Sequence, residues 1–107
     1  MATSPSERRV VVTGLGVVTP LGHTLDAFWN NLITGQCGID RITRFDASAF
    51  DTQIAGEVRH FHPAPAFPSP KEIRRTDRFS QFGIYAGWAA LKDSGAELDK
   101  LNRDEIG

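Results

Sequence analysis

Val10, Val11 and Val12 stand in a row near the start of the chain, the pattern of a strand buried on both faces. Thr13-Gly14-Leu15-Gly16 interrupts the run, where the backbone needs a positive φ or a close approach to another segment. Polar and apolar positions then take up a helical period. Leu25, Phe28, Trp29, Leu32 and Ile33 fall at i, i+3, i+4, i+7 and i+8, one face of an amphipathic helix. Thr24 suits its N-cap, Asp26 its first turn and Gly35 its C′ position. A loop is expected next, anchored by Phe45 and Phe50. From Gln53 to Arg59 the pattern alternates, with Ile54, Gly56 and Val58 on one side and Gln53, Glu57 and Arg59 on the other. That predicts a half-exposed, peripheral strand.

Four prolines between Phe61 and Pro70 rule out helix or inner strand there, so the segment reads as a surface loop. Ser69-Pro70-Lys71-Glu72 has the form of a capping box and predicts a short helix to about Arg75. Thr76 or Asp77 can cap a longer helix that reaches Ser94 and stops at Gly95. Its apolar residues cover more than one face. Phe79, Phe82, Ala86, Ala89 and Ala90 line one side, and Ile84, Trp88 and Leu91 another. Gly83, Ala86, Gly87 and Ala90 make a narrow strip open to a second backbone. Such a helix must be buried on most faces, yet the other predicted elements are too few to cover it. Residues 98–105 are a polar connector, and Ile106-Gly107 reads as the first step of a further strand. The sequence is therefore expected to be a piece of a longer chain.

Composition narrows the classes. The 107 residues are 40% hydrophobic with a formal net charge of -1, the size of one small domain and not the basic balance of a nucleic-acid binder. No apolar run approaches a membrane span. Residues 1–7 carry no signal-peptide pattern and read as a disordered lead-in. One cysteine precludes an internal disulfide framework and fits a reducing cytoplasm.

Few residues offer chemistry. Gly14-Leu15-Gly16 fails as a dinucleotide fingerprint, because Pro20 keeps Thr19 out of the α region and no helix can open at Gly16. Cys37 follows a helix C-terminus, a poor place for a nucleophilic thiolate, and reads as structural. His60 and His62 lack further metal ligands at a usable spacing, and His23 reads as solvated. Asp26, Asp46, Asp77 and Asp93 show no acid–base pairing. Lys71, Arg74, Arg75 and Arg78 put four of the twelve basic residues into eight positions. Taken alone, that is a solvated helix face.

The block Val-Val-Val-Thr-Gly-Leu-Gly-Val-Val-Thr-Pro-Leu-Gly, from Val10 to Gly22, closely resembles the opening of the β-ketoacyl-acyl carrier protein synthases. So do Phe28-Trp29, Gly35-Gln36-Cys37-Gly38-Ile39, Phe45-Asp46, Ala55-Gly56-Glu57-Val58, Arg75-Thr76-Asp77-Arg78-Phe79 and Ala90-Leu91-Lys92-Asp93-Ser94-Gly95. Their order is most similar to the synthase II elongation type. The resemblance implies an α/β fold, the N-terminal portion of a thiolase-like layered αβαβα arrangement, with residues 8–107 an incomplete N-terminal domain. It implies decarboxylative Claisen condensation in fatty acid elongation, a cytoplasmic homodimer and an acyl carrier protein as partner. It implies no cofactor, since phosphopantetheine travels on that partner. The family's catalytic cysteine, two histidines and lysine fall beyond Gly107, so no catalytic residue is expected in this chain. Lys71, Arg74 and Arg75 match the segment that meets the carrier protein in such synthases, and Arg78 is left outside that set. Two other readings remain open: a non-catalytic carrier-binding fragment, and a degenerate chain-length partner of a polyketide system.

Overall fold

The computed structural model describes residues 7–106, so all but Glu7 of the expected lead-in, and Gly107 of the expected last strand, lie outside the described residues. Helix α1 spans Leu25–Ile33, with the Thr24 side chain accepting the Ala27 amide and Gly35 at φ +76 just past its end. Strands β1 (Ile39–Arg41) and β2 (Ile54–Gly56) pair antiparallel, Ile39 opposite Gly56 and Arg41 opposite Ile54. A short 3-10 turn at Ala64–Ala66 leads to helix α2 (Pro70–Arg74) and the long helix α3 (Arg78–Ser94). Two further 3-10 turns, Leu98–Lys100 and Arg103–Glu105, fill the polar connector. Ile106 belongs to no strand.

The valine run departs from its pattern. Val10–Val12 form no strand, and Val10 and Val12 are 96% and 80% exposed. A strand exists only through pairing, because its N–H and C=O groups need partners across a ladder. Among the described residues β1 and β2 pair with each other alone, and nothing reaches the valines. The expected seven-residue strand from Gln53 is also trimmed to three residues.

The glycines that follow are explained by close approach, not by φ. Neither Gly14 nor Gly16 has positive φ. Both lie on the backbone of α3. A methyl group on Gly16 would overlap the Ala86 carbonyl oxygen and sit 2.9 Å from the Ala90 nitrogen, and one on Gly14 would overlap the Ala90 carbonyl. The Leu15 amide donates to the Asp93 carboxylate at 3.0 Å and fixes the crossing. Thus the small-residue strip of α3 does receive a second backbone, at Ala86 and Ala90. Gly83 and Gly87 have no such neighbour among the described residues.

The core is aromatic and small. Phe61 and Tyr85 are only 7% and 8% exposed. Phe61 meets Phe82 and Tyr85 edge-on, each at 5.1 Å between ring centres. His23 packs against both Phe61 and Tyr85 at 5.7 Å, so it is a member of this cluster and not the solvated side chain its sequence neighbours suggest. Phe45 and Phe50 are corrected in the opposite sense. They touch each other at 5.9 Å but stay largely exposed, and the buried residue of their loop is Ala47.

Glu57 braces the hairpin. Its carboxylate accepts from the Thr43 amide and hydroxyl, the Arg44 amide and the Arg59 guanidinium, at 2.9–3.2 Å. Desolvation pushes this carboxyl up, but those donors outweigh it and hold it at about 2, below its ordinary 4.5. A depressed pKa gives stability that is complete above about pH 4.5 and is lost as pH falls through about 2. In the whole protein, the melting-temperature gap between wild type and Glu57→Gln should therefore be constant near neutrality and shrink steadily across that acid window. A gap independent of pH would refute the brace.

Candidate functional site

Of the three basic residues singled out from the sequence, Lys71 and Arg74 lie in the short helix α2 and Arg75 is its C-cap. Ser69, in extended conformation, accepts the Glu72 amide at 3.4 Å, and Pro70 opens α2. The return half of the capping box is replaced, since the Glu72 carboxylate turns to Arg75 at 3.9 Å. Half-buried Ile73 anchors α2. The Gln81 side chain donates to the Ile73 and Thr76 carbonyls at 3.1 and 3.0 Å, tying the end of α2 to α3. Gln81 was not singled out by sequence. A lone Gln inside an apolar helix, one turn past the preceding cap, is the only signal that could have marked it.

Lys71, Arg74 and Arg75 are all exposed. Spacings of three and four residues place them along one side of the helix, and among the described residues only Glu72 lies within ion-pair distance of them, at Arg75. Arg78 parts company with this face. Its Nη2 donates to the Val58 carbonyl at 2.7 Å, and its guanidinium lies 5.1 Å from the Phe82 ring centre and 5.9 Å from that of Phe61. It clamps the hairpin to α3. What α2 presents is a cationic, solvent-facing patch without a nucleophile or an acid–base pair.

The other candidates stay apart. Cys37 is exposed in the loop after α1, its Sγ 3.5 Å from the Ile39 carbonyl oxygen, so it is a surface residue and not a core one. Among the described residues no three His, Cys, Asp or Glu side chains gather as a metal site. An open cleft of about 480 Å³ runs between the glycine segment and α3, lined by Leu15, Val17, His23, Tyr85, Trp88 and Lys92 among others. None of the basic patch faces it. No helix among the described residues is long and apolar enough to cross a membrane.

Comparison with known proteins gives these elements a context. Residues 7–107 match the family model described as "Beta-ketoacyl synthase, N-terminal domain". The 3-oxoacyl-[acyl-carrier-protein] synthase 2 of Coxiella burnetii is 50% identical over 101 residues, which are 94% of this chain and 24% of that enzyme. The enzyme of the same name from Synechocystis is 46% identical with the same coverage. Among solved structures, the ishigamide ketosynthase/chain length factor superposes with a TM-score of 0.78 at 33% identity, covering 91% of this chain and 24% of that one. A β-ketoacyl synthase from Burkholderia phymatum gives 0.71 at 31%, over 92% and 24%. The chain thus spans about a quarter of the length of the curated relatives it matches.

Proposed function

This chain belongs to the β-ketoacyl synthase family, and on that premise we propose that the whole protein is a 3-oxoacyl-[acyl-carrier-protein] synthase of the elongation type. The segment described here is the N-terminal portion of the α/β, thiolase-like fold. In the proposed reaction an acyl group is held as a thioester on a cysteine. Malonyl-carrier protein loses carbon dioxide, and the resulting carbanion attacks the thioester carbonyl. The carbon–sulfur bond breaks and the cysteine leaves as thiolate. The groups for those steps lie outside this chain, which is inactive by itself in this reading. Its residues supply the frame and the docking face. A cytoplasmic homodimer is part of the same proposal.

The observation that carries the docking role is the exposed placement of Lys71, Arg74 and Arg75 on a capped helix, with one carboxylate among them. An acyl carrier protein is acidic, so these cations would steer its approach and orientation. Each exposed pair is worth about 0–1 kcal/mol, so single substitutions should do little. Arg74→Glu combined with Arg75→Glu replaces attraction by repulsion twice and should raise KM for carrier-bound substrate about tenfold, some 1.4 kcal/mol. Reaction with a small thioester lacking the carrier should be nearly normal. The defect should shrink with salt, as the Debye length falls from about 10 Å at 0.1 M to about 3 Å at 1 M. Equal losses on both substrates would discard the docking role.

The likeness to a ketosynthase/chain length factor favours one second reading, a chain-length partner that keeps the fold and lacks the nucleophile. Labelling of the whole protein by a thiol-reactive condensation inhibitor separates the two. Stoichiometric labelling outside Cys37 supports the enzyme, and its absence the partner.

A further inference from the structure

A second concave site, about 390 Å³ in volume, is lined by Arg44, Glu57, Arg59, His60, His62 and Arg78 among others. We propose that this pocket binds a phosphate group. The inference goes beyond carrier docking on α2 and uses none of its residues.

Three arginines from three different segments line one cavity: Arg44 after β1, Arg59 after β2 and Arg78 at the start of α3. Bringing like charges together costs energy unless an anion shares the site. One carboxylate, Glu57, lines it as well, and Asp40 stands 3.7 Å from Arg59, which leaves one positive charge in excess before either histidine is counted. Glu57 is already committed. Its oxygens accept from Thr43, Arg44 and Arg59, and its side chain is 7% exposed.

The cations differ in how far they are satisfied. Arg59 is paired, with Nη2 on the Arg41 carbonyl and Glu57 and Nη1 at 3.7 Å from Asp40. Arg44 and Arg78 have no carboxylate within ion-pair distance among the described residues. Arg78 is held in place by one bond to the Val58 carbonyl and by the Phe61 and Phe82 rings, so its guanidinium is pre-organised and has N–H donors to spare. A planar fork of this kind suits the oxygens of phosphate. His60 completes the wall at φ +55, the left-handed region that non-glycine residues seldom adopt. The volume exceeds what phosphate alone requires and leaves room for the molecule that bears it.

The test is a phosphorus NMR titration of the whole protein, with inorganic phosphate in one arm and phosphopantetheine in the other. Wild type should bind with a dissociation constant on the order of 1 mM. Arg44→Ala, at an exposed and unpaired position, should weaken binding about fivefold, the size of one exposed charge, with melting unchanged. Arg74→Glu with Arg75→Glu should leave phosphate affinity intact, so failure of this site and failure of the docking face are distinguishable. Equal affinity in the two arms supports a small free phosphate ligand, and tighter binding of phosphopantetheine supports a carrier-borne one. No saturable response in either arm, or an Arg44→Ala variant that binds like wild type, overturns the proposal.

Discussion

Gly16→Ala in the whole protein should cost about 3 kcal/mol of stability, at the upper end of the usual overpacking penalty. The added methyl group meets backbone, namely the Ala86 carbonyl oxygen and the Ala90 nitrogen, and backbone in a helix interior cannot rotate aside as a side chain can. Relief requires the Thr13–Val17 segment to lift from α3, which also breaks the Leu15–Asp93 hydrogen bond. The expected result is a clear drop in melting temperature and in soluble yield, with no nucleotide affinity to lose. A variant that melts with wild type would show that the crossing is looser than described. Saturable NAD or ATP binding abolished by the same change would return the turn to a phosphate role.

The isolated 107-residue chain should show no sharp cooperative melting transition as a monomer. Its radius of gyration is 18.5 Å, whereas a compact domain of this length is near 13 Å. Phe79 is 74% exposed, and Ile84, Leu91, Trp29 and the valine run are exposed as well. Each large apolar side chain left in water forgoes about 1.5–3 kcal/mol, against a net stability of only about 5–15 kcal/mol for a typical domain. Differential scanning calorimetry with near-ultraviolet circular dichroism checks this. A single sharp transition at monomer concentration would contradict it.

What the sequence made legible was local. Caps and helix periods depend on neighbours within a few residues, so Thr24, Ser69 and Gly95 marked their helices correctly. Clustered charge is local as well, and Lys71, Arg74 and Arg75 do fall on one helix and its C-cap, although what they bind is a separate matter. The misses involve partners far along the chain. Val10–Val12 carry a strand pattern but have nothing to pair with. β1 is three residues long, too short to show a period, so its residues read as loop. Phe61, hidden among prolines, forms the core because α3 supplies Phe82 and Tyr85 from more than twenty residues away. Glu57 looked like the solvent side of a strand until its donors arrived from Thr43 and Arg44. Family likeness reached further than these local rules, since it rests on the order of many motifs at once.

The unpaired valines bear on how such a protein is made. In a chain of the relatives' length, three quarters of the sequence follows this segment, and translation at about 5–20 residues per second takes on the order of tens of seconds to deliver it. Throughout that interval Val10–Val12 stay an exposed, unpaired β-branched stretch, of the kind that pairs with other strands. A holding chaperone that recognises extended apolar segments would find a binding stretch there until later parts of a longer chain cover it.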